Sequence, residues 1–545
     1  MSAFTVSGQL IDLFERRIYP AAITVKDGII EEIKEIEQAP DQYILPGFTD
    51  AHVHIESSML VPTEFARLAV VHGTVATISD PHEIANVCGE EGINYMIDNA
   101  SRTPFKFFFG APSCVPATTF ETAGATINAE GIERLMNDPD IWYLAEVMNY
   151  PGVLNKEPEV VAKIEAAKKA GKPVDGHAPG LKVEEAARYA AEGISTDHEC
   201  FTLEEAVDKI KAGMKILIRE GSAAKNYEAL HSLLASHPSS VMFCSDDKHP
   251  DDLVLHHINE LVRRSLQKGY DLFDVLNAAC VHPVLHYKVP VGLLRVNDSA
   301  DFVVVDNFEN FKILKTYIQG QLVAENGKSL LAHEKIEGVN NFDADKKKVE
   351  DFRVSCKNAS AGIRVIEAQD GQLITNELIW QGRNDGKDWL TDIDHDVLKI
   401  VVVNRYTKSA PVAIAFIKGI GLKKGALAST VAHDCHNIVA VGTNDKDICN
   451  AVNTLIDVKG GISVADGDRI SHMPLPVGGL MSTDEGEKVA ALYSELDRKA
   501  KELGTHLHSP FMTLSFMALL VIPSLKLSDK GLFSGKTFSF TSIEV

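Results

Sequence analysis

Between residues 45 and 285 the chain repeats one pattern, and that pattern limits the fold more than any other feature. A short apolar or β-branched run ends in a polar cluster, and a helix-like stretch follows. The runs are "YILPGFTDAHVH", "GTVATISDPHE", "FKFFFGAPSC", "IWYLAEVMN", "KPVDGHAPG", "GISTDHE", "MKILIREGSA" and "SVMFCSDDKHP". Between them lie stretches such as "EPEVVAKIEAAKKAGK", "KVEEAARYAAEG" and "NYEALHSLLASHP", with Gly171 and Gly193 closing two of them in the manner of helix C-terminal glycines. Eight β-then-α units of this length predict an α/β fold built as a (β/α)8 TIM-like barrel, which typically needs about 250 residues. A doubly wound sheet is the alternative. It uses fewer strands and a phosphate-binding glycine turn after the first.

Two β-rich segments flank the barrel region. "GQLIDLFERRIYPAAITVKDGIIEEI" reads as three short strands, the last two joined at Asp27-Gly28. "VGLLRVNDSADFVVVDNF" and "KILKTYIQGQLVAENGK" repeat the style after the barrel. Residues 1–45 and 286–335 are therefore expected to close into one small sheet domain around a barrel at 46–285. Residues 340–545 mix strand-like runs ("HDVLKIVVVNRY", "NIVAVGT") with helical ones ("GEKVAALYSELDRKAKELG"), which predicts a separate C-terminal α/β domain. A chain of 545 residues with 45% hydrophobic composition can supply each part with its own core.

Charge and cysteine content narrow the setting. A formal net charge of -22 repels polyanions, so no nucleic-acid partner is expected, whereas a neutral or cationic small substrate is compatible with it. None of the eight cysteines forms a C-x-x-C pair, and reduced thiols are expected. The segment "MSAFTVSGQLID" has neither a basic n-region nor an apolar h-region. "FMTLSFMALLVIPSL" is too short to span a bilayer and reads as buried core. The expectation is a cytoplasmic protein without membrane association.

The chemistry is carried by "DAHVHIESSM" (50–59) and what accompanies it. Side chains two apart on a strand face the same way, roughly 6.6 Å apart along the chain, so His52 and His54 can converge on one ion. Alone, H-x-H is a weak signal. Yet the later predicted strands also end in donors: Glu146 on the fourth, His177 on the fifth, His198 on the sixth and Asp246 on the eighth. In a barrel the C-terminal strand ends meet at one mouth. Four imidazoles and two carboxylates gathered there are enough to hold two divalent ions.

"PGFTDAHVH" followed by His, His and Asp on the fifth, sixth and eighth strands resembles the amidohydrolase superfamily. The flanking β segments match that superfamily's small β-sandwich, built from both sides of the barrel. "DAHVHIESSM", "SDPHEIANV", "APSCVPAT", "AEVMNYPGV", "DGHAPGL", "CSDDKHPDDL", "HDCHNIVAVGTND" and "PLPVGGLMS" narrow the resemblance to the adenine deaminase family, over nearly the whole chain. The resemblance implies that His52 and His54 bind the more buried metal. Glu146 bridges both ions where many relatives use a carbamylated lysine. His177 and His198 bind the second ion, and Asp246 binds the first and carries protons. It favours Mn2+ or Fe2+, with Zn2+ suited to the same ligands. The expected reaction is hydrolytic deamination of adenine to hypoxanthine and ammonia, as in purine salvage, by hydroxide formed from a water between the metals. Asp246 and Glu146 are the expected catalytic residues, and a homodimer or larger assembly is expected. Another aminopurine or a cyclic amide is the alternative substrate for the same metal centre. Asp80, His82 and Glu83 after the second strand are expected to bond substrate, support the ligands or hold a further ion. Glu56 and Ser57 are expected in the mouth loop, outside the metal shell.

Other motifs are weaker. "GLFSGKT" has the wrong glycine spacing for a P-loop, and "GIGLKKG" misses the dinucleotide spacing. His433 and His436 could meet on a helix face, with a structural role or a place lining the mouth. Arg219 and Glu220 end the seventh strand and suggest a paired charge there.

Overall fold

The computed structural model describes residues 3–545. The repeated pattern forms eight strands: β1 (Phe48–Val53), β2 (Thr74–Ser79), β3 (Lys106–Ala111), β4 (Ile141–Val147), β5 (Val174–Gly176), β6 (Thr196–Asp197), β7 (Lys215–Arg219) and β8 (Val241–Cys244). β1 to β5 pair in parallel as one sheet and β6 to β8 as a second. The ladder thins between β5 and β6 because these strands are so short. There the Ser195 N–H donates to the Val174 carbonyl at 2.9 Å. At the other junction the Asp246 N–H donates to the His52 carbonyl at 2.9 Å, and Val53 bridges Asp246 in parallel. The result is a TIM-like α/β fold.

The strands are buried throughout β1, β2 and β8, as expected of parallel strands covered on both faces. Gly176 is required by the approach of β5 to β6, since a Cβ there would lie 2.4 Å from the Thr196 carbonyl oxygen. The intervening helices are built from local signals. Pro158 opens the helix Pro158–Lys169, which carries Lys168 and Lys169 in its last turn. The Thr202 hydroxyl accepts the Glu205 N–H to cap Leu203–Lys211, a cap worth about 1 kcal/mol.

The flanking segments meet in a single eight-stranded sheet, which joins Phe4–Asp12, Arg17–Lys26, Ile29–Glu35 and Tyr43–Pro46 to Phe302–Val305, Ile313–Ile318, Gln321–Glu325 and Lys328–Ser329. Tyr43–Pro46 pairs with strands from both sides of the barrel. Phe4 and Tyr317 sit on strands that are not neighbours, yet their rings stack at 5.7 Å. The continuous sheet therefore curls over its own core of Ile23, Ile44, Phe302 and Val304.

After residue 340, a second eight-stranded sheet has Leu398–Val403, Val412–Lys418, Ala426–Ser429 and Ile438–Gly442 at its centre, with the helix Asp445–Val458 packed on it. This part docks on the barrel at the C-terminal strand ends. Asn437 Nδ2 donates to the Thr122 carbonyl, Ser528 Oγ to that of Phe120, and the Ser482 N–H to that of Met59. The apolar stretch after Ser509 forms the short helix Pro510–Ser515 and the turn Phe516–Ala518, both buried. Among the described residues no helix is long and apolar enough to cross a membrane.

Candidate metal centre

The geometry starts with Asp50. Asp50 lies two residues before His52 on β1, and its carboxylate accepts the His52 N–H at 3.3 Å. The Asp50 carboxylate accepts the Ser245 N–H at 3.0 Å, the Ser245 hydroxyl at 2.5 Å and His257 Nε2 at 2.8 Å. These bonds tie the first strand to the end of the eighth and bring His52 beside Asp246. Asp246 itself adopts φ 54, a left-handed conformation in which Asp is enriched over most residue types.

Six donors expected from the sequence converge. His52 Nε2 and His54 Nε2 face each other at 3.1 Å, and Asp246 Oδ1 lies 3.6 and 3.3 Å from them. Glu146 reaches both halves of the cluster. Its Oε1 is 3.4 Å from His54 Nε2, while its Oε2 is 2.7 Å from His177 Nδ1 and 3.1 Å from His198 Nε2. All six side chains are buried. His54 Nδ1 donates to the Asp80 carbonyl, which turns Nε2 toward the cluster.

The donor set suits cations. Two imidazole nitrogens at 3.1 Å can share only one proton, and His177 Nε2, both nitrogens of His82 and Asp80 Oδ2 have no hydrogen-bond partner among the described residues. Buried polar atoms are normally paired. Overlapping groups of three or four buried donors lie close enough to share an ion: His52, His54 and Asp246; His52, Glu146 and His198; His54, Asp80, His82 and Glu146. Imidazole with carboxylate is ligand chemistry for zinc, iron or manganese.

Charge shapes each group. Burial pushes the Glu146 carboxyl up, but His177 and His198 outweigh it and hold it well below the usual range. Burial likewise opposes ionisation of Asp246, and the Arg219 guanidinium, with His54 and His198, reverses that. Burial and the neighbouring His198 and His54 keep His52 well below the usual imidazole value. For His198, burial is overcome by Glu146, and its pKa rises to about 9.

Asp80, His82 and Glu83 follow β2 into the same mouth. His82 Nδ1 is 3.3 Å from Asp80 Oδ2 and 3.5 Å from Glu146 Oε1. Ser57 Oγ lies between Glu83 Oε1 at 2.8 Å and Asp247 Oδ1 at 2.6 Å. One hydroxyl proton can serve only one of them. Glu56 lies in the turn Ile55–Ser58 and accepts the Ile84 N–H. Burial, reinforced by Glu83, raises its pKa to about 8.

Two expectations need correction. Arg219 and Glu220 do not pair with each other. Successive strand residues face opposite ways, so Arg219 points inward to Glu199 and to Asp246 Oδ2 at 2.6 Å, while Glu220 pairs with Arg264 at 2.7 Å. His433 and His436 lie in a turn, not on a helix. Of the two, His433 lines the mouth, 3.5 Å from Glu83 Oε1 and grouped with Asp247, whereas His436 Nδ1 accepts the Ala432 N–H. Sequence reasoning passed over Asp50, Glu199, Asp247, His257 and Asp434. For Asp50 a signal existed, since it shares the parity of His52 and His54.

The cluster lines a pocket of about 20 Å³, roofed by Leu373, His433, Asp434, Phe516 and Leu519 from the C-terminal part. That is room on the scale of one water.

Residues 43–323 match the amidohydrolase family, and residues 372–539 match the adenine deaminase C-terminal domain. The chain is 56% identical to an adenine deaminase of Sulfurovum sp. (strain NBC37-1), over 97% of this chain and 98% of that one. It is 53% identical to an adenine deaminase of Salinibacter ruber (99% and 98% covered) and 51% identical to one of Borreliella burgdorferi (99% and 100% covered). A solved beta-aspartyl dipeptidase of Fervidobacterium islandicum aligns at 15% identity with a TM-score of 0.45, over 60% of this chain and 98% of its own, a likeness too slight to carry an argument.

Proposed function

The chain belongs to the adenine deaminase family of amidohydrolases, and from that premise we propose that it hydrolyses adenine to hypoxanthine and ammonia. The observation that carries the chemistry is the reach of Glu146, with one carboxylate oxygen beside His54 and the other beside His177 and His198. In this reading His52, His54 and Asp246 would hold one divalent ion, His177 and His198 would hold a second, and Glu146 would be shared between them. Manganese or ferrous iron is favoured, and zinc suits the same donors. Such ions, when bound, lower the pKa of a coordinated water toward neutrality.

The chain's own residues do the rest. Arg219, bonded to Asp246 Oδ2, keeps Asp246 ionised and leaves Oδ1 facing the two β1 histidines. Asp246 accepts a proton from the attacking water and returns it to the purine ring or the leaving amine, the base-then-acid pattern of a positioned carboxylate. Asp80, His82, Glu83 and Ser57 offer polar atoms for the purine edge. The roof excludes bulk water, which strengthens these electrostatic contacts. The pocket has room on the scale of one water, so a purine over these donors needs more space than the pocket offers.

The proposed division of the chain is a small sheet domain from 1–45 and 286–335, a catalytic barrel at 46–285 and a C-terminal α/β domain at 340–545 that supplies the roof. A cytoplasmic homodimer or larger assembly acting in purine salvage completes the proposal, and sedimentation at micromolar concentration tests the assembly. The function itself is tested by ammonia release from adenine, adenosine, guanine and hydantoin, using protein loaded with manganese. Release from adenine above the others is expected. No release from adenine would remove the proposal, and preferential release from another substrate would point to the alternative amidohydrolase reading.

A further inference from the structure

The apolar stretch that runs from Phe511 to Leu525 ends at a lysine. Lys526 lies on the strand Leu525–Ser528, paired with Gly531–Ser534, and is 0% exposed. A buried lysine normally has a carboxylate partner, but among the described residues none lies within ion-pairing distance of it. Its amino group instead donates to two carbonyl oxygens, that of Leu373 at 2.7 Å and that of Phe516 at 2.9 Å.

Those two carbonyls belong to residues that line the pocket of the candidate metal centre. Leu373 and Phe516 lie far apart in the chain and reach the pocket on separate segments. Phe516 is stacked on His433, with ring centroids 4.6 Å apart and planes within 11°. Three residues on, Leu519 lines the same pocket, and Val521 lines a neighbouring cavity of about 550 Å³. Met148 lines both, so the segment Phe516–Val521 is part of the wall between a space for one water and a space large enough for a purine. The Lys526 strand is itself anchored, because Thr375 Oγ1 donates to the Leu525 carbonyl at 2.8 Å and the Thr375 N–H to that of Pro523 at 3.1 Å.

We propose that Lys526 is a positioning residue, a latch that joins the Leu373 and Phe516 segments into one roof and so fixes how closely that roof meets a purine bound over the metal centre. Its part in purine binding rests on the adenine reading; its part in holding the roof does not. Burial lowers the amine to about pKa 7.

The test is Lys526→Met in the full chain loaded with manganese. Methionine approximates the length of the lysine stem but donates nothing to the Leu373 and Phe516 carbonyls, and circular dichroism checks that the fold is retained. Hydrogen exchange of the amides in 511–519 is expected to rise at least tenfold. The KM for adenine is expected to rise about tenfold, with kcat per bound ion within twofold of the parent. Leu519→Ala alone should also raise KM, but should add little in the Lys526→Met background, because residues acting through one element are not additive. Unchanged exchange at 511–519 overturns the latch. So does a fall in kcat at constant KM, or fully multiplicative effects of the two substitutions on KM. Should the parent fail to turn over adenine, the adenine reading falls, while the exchange measurement still decides the latch.

Discussion

Arg219 offers the most demanding quantitative test of the site. Its guanidinium grips Glu199 through both terminal nitrogens and Asp246 through one, and all three residues are buried to within 2% exposure. Arg219→Met keeps much of the volume and leaves two buried carboxylates without their cation. Removing one partner of a buried ion pair costs about 3–5 kcal/mol. At roughly 2–4 °C per kcal/mol for domains of 150–250 residues, the metal-free barrel should lose about 6–20 °C in Tm. Manganese bound at Asp246 would supply counter-charge, so the loss should shrink by at least half in loaded protein. Glu199→Gln in the same background removes one orphaned charge and should recover part of the metal-free loss. Scanning calorimetry on chelated and loaded protein measures each case and separates the barrel transition from that of the C-terminal part. A metal-free loss below about 1 kcal/mol, or a loss equal with and without manganese, would refute the assignment of Arg219 as the fixed counter-charge of Asp246.

Three further outcomes follow from the same geometry. Glu146→Gln should lower the content of both ions together, since one carboxylate reaches both groups of imidazoles; metal analysis showing two full equivalents would remove it from the shared position. Asp246→Asn should keep the fold by circular dichroism and lose at least a hundredfold in kcat, within the usual range for a positioned acid-base group; unchanged turnover would exclude it as proton carrier. Glu121 has its pKa raised to about 8 by burial and by the charge of Asp434. The folded state therefore keeps a proton that the unfolded state sheds above about 4.5, and stability falls as pH rises from 4.5 to 8. Glu121→Gln should flatten that slope and gain at most about 5 kcal/mol at pH 8.5, read as a denaturation midpoint that no longer drops between pH 5 and 8.5.

What the sequence made legible is what one dimension encodes. Parallel strands buried on both faces read as apolar runs, so the eight segments stood out. A donor placed just past each run needs only the rule that barrel strand ends meet. Contacts made across the fold leave no such trace. Asp50 is two residues from His52 and shares its parity, but its partners Ser245 and His257 lie some two hundred positions away. Arg219 and Glu220 looked like a pair because they are adjacent, whereas strand alternation sends neighbours to opposite faces.

The roof shows the same limit from the other direction. "FMTLSFMALLVIPSL" was legible as buried core, and it is buried, yet composition cannot tell core that fills an interior from core that covers a site. The distinction depends on position: Phe516 and Leu519 line the pocket of buried histidines and carboxylates, and the residue bonded to the carbonyls of both Phe516 and Leu373 is the lysine ending the apolar run. A buried lysine that serves two carbonyls breaks the rule by which the run was read, and such local violations concentrate where a fold does something besides hold itself together. The barrel places the donors and the C-terminal part decides how much space is left above them.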